Sequence, residues 1–273
     1  MADDPLGRGA TAHLLERHGI RLRRSLGQHF LVDPNVVRRI VAEAGIAPGD
    51  RVLEIGAGAG TLTRGLAAAG AGVVAYEIDE RLRPLLDEAL AGIPGVEVRF
   101  ADAAALPPQD LAGEATIVVA NLPYHVGTPL LLDLLRRAEQ VERFVVMLQR
   151  EAVERLAAAP GSKAYGLPSV VAQLHGEVRV AFRVPGSVFF PEPPVESAVA
   201  VIRRITAPSG AGAAVALAAA GFNQRRKMLR RSLAAALDDP GAVLAAADID
   251  PTLRAESLTP GDYLRLAEAA DAG

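Results

Sequence analysis

The chain has 273 residues, half of them hydrophobic and 22% charged, with a net charge of −3 and no cysteine. This excludes a disulfide scaffold, a thiolate nucleophile, a Cys-rich zinc site and a uniformly basic nucleic-acid binder, and no run of about 18 apolar residues offers a membrane span. The five histidines are scattered without HExxH spacing, so no metal site is expected.

The N-terminal segment lacks the basic stretch, apolar core and small-residue cleavage site of a secretory signal, which makes the cytoplasm the expected location. Residues 1–30 read as a basic arm, with Arg17, Arg21, Arg23 and Arg24 close together. Beyond it, five β-prone runs alternate with helical ones: RVLEI (51–55), GVVAYEI (72–78), VEVRF (96–100), TIVVA (116–120) and RFVVML (143–148). Strand and helix alternating in this way predict an α/β domain with a parallel sheet covered on both faces.

The first of these strands runs into EIGAGAGTLT, with glycines at 56, 58 and 60. Such a loop turns sharply and lets the backbone approach a ligand at a helix N-terminus; a tight turn that binds nothing is the plainer alternative. Glu77 ends the second strand about twenty residues on, where a carboxylate can accept from both ribose hydroxyls. Position 61 is Thr where a dinucleotide loop has glycine, and the acidic Glu54 precedes the loop. Both favour S-adenosylmethionine, whose methionyl end is cationic and which has no pyrophosphate to seat. Asp102, after the third strand, can accept from an adenine amino group, and a helix cap or Asx turn is an equal alternative.

The fourth strand stops at Asn121-Leu122-Pro123-Tyr124, the carboxyl end of a sheet strand, where ligands bind. An adenine amino group is a poor nucleophile because its lone pair is delocalised. The Asn121 side-chain oxygen and Leu122 carbonyl, aimed at its two hydrogens, favour a pyramidal nitrogen, while Pro123 fixes the turn and Tyr124 stacks on an unstacked base. Phe189 or Phe190, in the Pro-rich loop PGSVFFPEPPVES, is expected on the other face.

That loop lies between two strand-like runs, VRVAFRV and AVAVIRRI, which predict an antiparallel hairpin at the sheet edge. From PSGAG onward the pattern is helical, so the expected division is a catalytic domain of residues 1–206 and a helical domain of residues 207–273. The latter carries NQRRKMLRRSL, a second basic cluster that suits either phosphate contact or a solvated face.

The segments SLGQHFLVDPNV, VLEIGAGAGTLT, YEID, ANLPYHVGTPLL, LQREAVERL, SKAYGLPSV, FFPEPPVESAV and FNQRRKMLRRSL together resemble the KsgA/RsmA family. These are the small-subunit rRNA adenine N6,N6-dimethyltransferases, related to the Erm methyltransferases. The resemblance covers nearly the whole chain and implies a Rossmann-like S-adenosylmethionine-dependent methyltransferase sheet with a small all-helical C-terminal domain. It implies dimethylation of two adjacent adenosines in the 3′-terminal hairpin loop of 16S rRNA, on a small-subunit assembly intermediate, by a monomer without a membrane partner.

By the same resemblance, His29, Leu31, Gly56, Glu77, Asp102 and Asn121 contact the cofactor. Asn121, Leu122 and Tyr124 meet the target base, with Phe189 as the second stacking aromatic. RNA contacts fall on Arg23, Arg24, Arg225, Arg226, Lys227 and Arg230. His29 and His125 stand where relatives commonly have Asn; this either ties those contacts to pH or leaves two partly exposed loop histidines without a kinetic role. An Erm-type enzyme acting on 23S rRNA, a non-catalytic assembly or transcription factor and a nicotinamide-dependent oxidoreductase are the competing readings.

Overall fold

The computed structural model describes residues 5–23 and 26–272. It divides into two compact units, one of residues up to 153 with 179–204, the other of residues 154–178 with those from 205 onward.

Among the described residues nine strands are formed: β1 (Phe30–Leu31), β2 (Arg51–Ile55), β3 (Gly72–Glu77), β4 (Val96–Phe100), β5 (Ile117–Asn121), β6 (Arg143–Gln149), β7 (Gly176–Val184), β8 (Phe189–Phe190) and β9 (Ser197–Arg204). Seven make one sheet in the order β4-β3-β2-β5-β6-β9-β7. Neighbours from β4 to β6 are parallel and β9 is antiparallel to β6. The expected late strands are β7 and β9, neighbours at that edge.

Successive residues of a strand face opposite sides of a sheet. Val52, Leu53, Val118 and Val119 are nevertheless all buried, so helices cover both faces, as a parallel sheet requires. The helix Pro34–Ala44 buries Val36, Val37 and Ile40, and its start is capped by Asp33, which accepts from the N–H groups of Asn35 and Val36 at 2.8 and 3.1 Å. The helix Gly127–Arg137 buries Leu130, Leu131, Leu134 and Leu135. Strand order reverses between β2 and β5, which opens a crevice at their carboxyl ends.

β1 and β8 form a separate two-stranded antiparallel sheet, with Phe30 opposite Phe190 and Leu31 opposite Phe189. It joins the segment after the basic arm to the Pro-rich loop, and Arg8 braces that loop by donating to the Ser187 and Phe189 carbonyls at 2.7 and 2.8 Å.

The second unit is helical apart from the first residues of β7, with helices Leu167–His175, Ala211–Asn223, Leu229–Ser232, Pro240–Ala246 and Pro260–Asp271. Tyr165 and Tyr263 are fully buried in it. Their hydroxyls donate to the Leu258 and Ala255 carbonyls at 2.9 and 2.8 Å, and Phe222 lies between the rings. Residues 154–178, which the sequence assigns to the first domain, belong here because Tyr165 is part of this core. No helix of the described residues is long and apolar enough to cross a membrane.

Candidate active site

The turn after β2 and the end of β5 form one cleft. Gly56, Gly58 and Gly60 have φ of 84°, 56° and 78°, the left-handed region that favours glycine. A Cβ on Gly58 would lie 3.0 Å from the Phe30 ring, so the loop sits against β1 only without a side chain. Glu77, at the end of β3, is buried; its Oε2 accepts from Gly58 N–H and its Oε1 from Asp79 N–H, each at 2.9 Å. Burial pushes its pKa up and the two N–H groups pull it back.

Asp79 is tied in turn to Arg81 and to Gln28, whose Nε2 donates to Asp79 Oδ2 at 2.8 Å. The Arg81 guanidinium holds the Asp79 carboxyl below the usual range, with Gln28 assisting. Asp102 Oδ1 accepts from Ala104 N–H at 2.9 Å. It thus acts as the cap that was one of its two readings, and it also lines the cleft.

Asn121 is the last residue of β5 and lines the same cleft. Its Nδ2 donates to the His29 carbonyl at 3.2 Å, which leaves Oδ1 as the acceptor the side chain presents. The Pro123 carbonyl accepts from Val126 and Gly127 N–H groups at 3.3 and 2.8 Å, so the turn doubles as the start of the next helix. Tyr124 O–H and Ser197 Oγ are 2.7 Å apart; burial raises the phenol pKa and the serine lowers it. The His29 ring stacks near that of Tyr124, with centroids 6.2 Å apart and planes 21° apart, while its Nδ1 donates to the Pro191 carbonyl at 2.7 Å.

Six expected residues therefore converge on the cleft with Tyr124: His29, Gly56, Glu77, Asp102, Asn121 and Leu122. Leu31 lines a smaller recess beside it, with Glu54, Gly56 and Asn121. Phe189 is the exception. It is fully buried among core residues and lines neither space, because its pairing with Leu31 turns its side chain inward. The ring the structure places beside Tyr124 is that of His29. Ser197, which ends the Phe-x-Pro-x-Pro-x-Val-x-Ser pattern, and Gln28 escaped the sequence reading; their signal was membership of the two quoted motifs, with no chemistry attached.

Of the basic residues, Arg23 is exposed and its N–H donates to Gln28 Oε1 at 2.7 Å; Arg24 lies outside the described residues. Arg226, Lys227 and Arg230 are exposed. Arg225 differs, since its Nε pairs with Glu256 at 2.7 Å and its Nη2 donates to the Lys163 carbonyl at 3.1 Å, so its charge is already partnered.

The family model described as ribosomal RNA adenine dimethylase matches residues 19–272. The ribosomal RNA small subunit methyltransferase A of Rhodospirillum rubrum is 46% identical over 264 residues, covering 95% of this chain and 91% of the relative. That of Phenylobacterium zucineum is 42% identical over 259 residues, covering 93% and 90%. Among solved structures, a dimethyladenosine transferase from Plasmodium falciparum is similar with a TM-score of 0.76 at 25% identity, over 87% of this chain and 96% of that one. The 23S rRNA methyltransferase ErmE is similar with a TM-score of 0.69 at 27% identity, over 89% and 99%.

Proposed function

The chain belongs to the ribosomal RNA adenine dimethylase family, and from that premise we propose how its residues carry out adenine dimethylation of small-subunit rRNA. S-adenosylmethionine is the cofactor, and when bound it supplies an electrophilic methyl group on a cationic sulfur. The residues present fit it: a glycine loop that a Cβ would fill, a buried carboxylate, Glu77, at the end of β3 that lines the cleft, and an orphaned buried acid, Glu54, beside the loop.

Glu77 holds the ribose hydroxyls, the Gly58 and Asp79 N–H groups keeping its carboxylate oriented. Asp102 accepts from the cofactor adenine amino group. The target adenosine enters unstacked, with Tyr124 against its face. Asn121 Oδ1 and the Leu122 carbonyl accept its two amino hydrogens and turn the nitrogen lone pair toward the methyl group. No general base is required, since the proton leaves to water once the nitrogen carries the additional methyl. Catalysis is then orientation and acceptor placement. The observation that carries this is the Asn121 Nδ2 to His29 carbonyl bond, which commits the amide nitrogen and leaves the oxygen as acceptor.

The finer reading is two adjacent adenosines in the 3′-terminal hairpin loop of 16S rRNA, methylated on an assembling small subunit, with Arg23, Arg226, Lys227 and Arg230 on phosphates. The likeness to ErmE favours one competing reading, a 23S rRNA adenine. Incubation with labelled S-adenosylmethionine and either undermethylated small subunits or naked 23S rRNA, with the labelled nucleosides mapped by mass spectrometry, decides between them. Dimethyladenosine confined to the 16S hairpin is expected; label in 23S rRNA would overturn the small-subunit reading.

A further inference from the structure

Glu54, on β2, is 1% exposed, and neither carboxyl oxygen has a hydrogen-bond partner. The buried hydroxyls of Thr61 and Thr63 also lack partners. Thr63 lies close enough to favour the anion, but without hydrogen-bond geometry to the carboxyl. Glu54 and Thr61 line the recess that adjoins the cofactor cleft and shares Gly56, Gly58 and Asn121 with it.

An unpaired carboxylate is very costly in such a place, whereas the neutral acid is not. The surroundings agree. β1 presents Phe30 and Leu31, the following helix presents Thr61 and Leu62, β5 presents Asn121, and the charged neighbour acting on Glu54 is Glu77, another acid.

We propose that Glu54 is stored as the neutral acid in the cofactor-free protein and gives its proton to solvent when the ammonium group of the cofactor's methionyl end enters the recess. The carboxylate so formed pairs with the ammonium, and Thr61, which lines the recess with it, supplies a further acceptor. Cofactor binding is therefore coupled to proton release, which makes Glu54 a specificity device: only a ligand that brings its own positive charge recovers the cost of ionising it. Burial, opposed by Thr63 and helped by Glu77, pushes this carboxyl up to about 8. Below that pH each binding event expels a proton; above it the group is already ionised. The inference rests on the cofactor reading above.

The test is calorimetry of S-adenosylhomocysteine, which carries the same ammonium, on the full chain between pH 6 and 8.5, in buffers of different protonation enthalpy. At pH 7 about one proton should be released per ligand, and affinity should fall about tenfold per pH unit below pH 8. The Glu54→Gln variant, isosteric with the stored acid, should bind more weakly, with flat pH dependence and no proton release. 5′-Methylthioadenosine, which keeps the nucleoside but lacks the ammonium, should bind wild type without releasing a proton; this arm needs no variant to fold.

Normal binding of S-adenosylhomocysteine without proton release would overturn the inference. Release that persists in Glu54→Gln, or that accompanies 5′-methylthioadenosine, would also overturn it, since the proton would then come from another group. Absence of binding at any pH would remove the cofactor reading and this inference with it.

Discussion

Asn121 and Glu54 occupy opposite electrostatic situations beside the same glycine loop. Asn121 spends one end of its amide on the His29 carbonyl, so its oxygen needs no reorganisation to meet an amino group. Replacing it with Ala should lower single-turnover methylation about 10²–10³-fold, the loss typical of one preorganised polar group at a reacting centre, while filter binding of small subunits stays nearly unchanged. A full rate would remove the acceptor role. Glu54 is instead an unpaired acid, and its influence reaches stability. Its folded pKa, about 8, lies above the ordinary 4.5. The stability it contributes as an acid is thus complete below about pH 4.5 and is lost as pH rises through about 8. Relative to Glu54→Gln, the cofactor-free wild type should lose on the order of 1 kcal/mol per pH unit across that interval, read as a changing difference in Tm between pH 5 and 8. A constant difference would mean that the carboxyl is solvated.

At the scale of elements, the site depends on how the helix Gly127–Arg137 meets β5 and β6. A Cβ on Gly127 would lie 2.5 Å from Leu148 Cδ2 and 2.7 Å from Leu122 Cβ. Gly127→Ala should therefore displace Leu122 and its carbonyl, destabilising the protein by about 1–3 kcal/mol and cutting turnover at least about tenfold. S-adenosylhomocysteine affinity should hold, and calorimetry beside a turnover assay separates the two effects. The strands of the parallel sheet were legible because β2, β3, β5 and β6 are largely buried apolar runs bounded by turn signals and β4, at the edge, alternates half-buried with exposed residues; all five lie within a residue of their expected places. The Asn121–Tyr124 turn was legible because its residue types suit the chemistry. The pairing of β1 with β8 was not, since two-residue strands carry no periodicity and their partners lie far apart in the chain. Register between such strands decides which of Phe189 and Phe190 faces inward, and no local pattern encodes it. For that reason neither the core position of Phe189 nor the contact of Ser197 with Tyr124 could be read locally.

For the whole molecule, a net charge of −3 means that affinity for a polyanion has to come from local clusters. The composition shift at PSGAG marked the start of the helical region, but the return of residues 154–178 to that unit rests on Tyr165 and its bond to the Leu258 carbonyl, a tertiary contact with no sequence signature. The same distinction separates the cations. Replacing Arg226, Lys227 and Arg230 together with Ala should weaken small-subunit binding and flatten the plot of log affinity against log salt by about 2–3, because each phosphate contact on RNA adds roughly 0.7–0.9 to the slope. Methylation at saturating substrate should change little, since none of the three lines the cleft. Arg225→Ala should leave the slope almost unaltered and cost less than about 1 kcal/mol of stability, its guanidinium being held by Glu256 in a half-exposed pair. Equal slope changes in the two variants would mean that the Arg225–Glu256 pair opens on RNA; an unchanged slope in both would return the cluster to a solvated helix face.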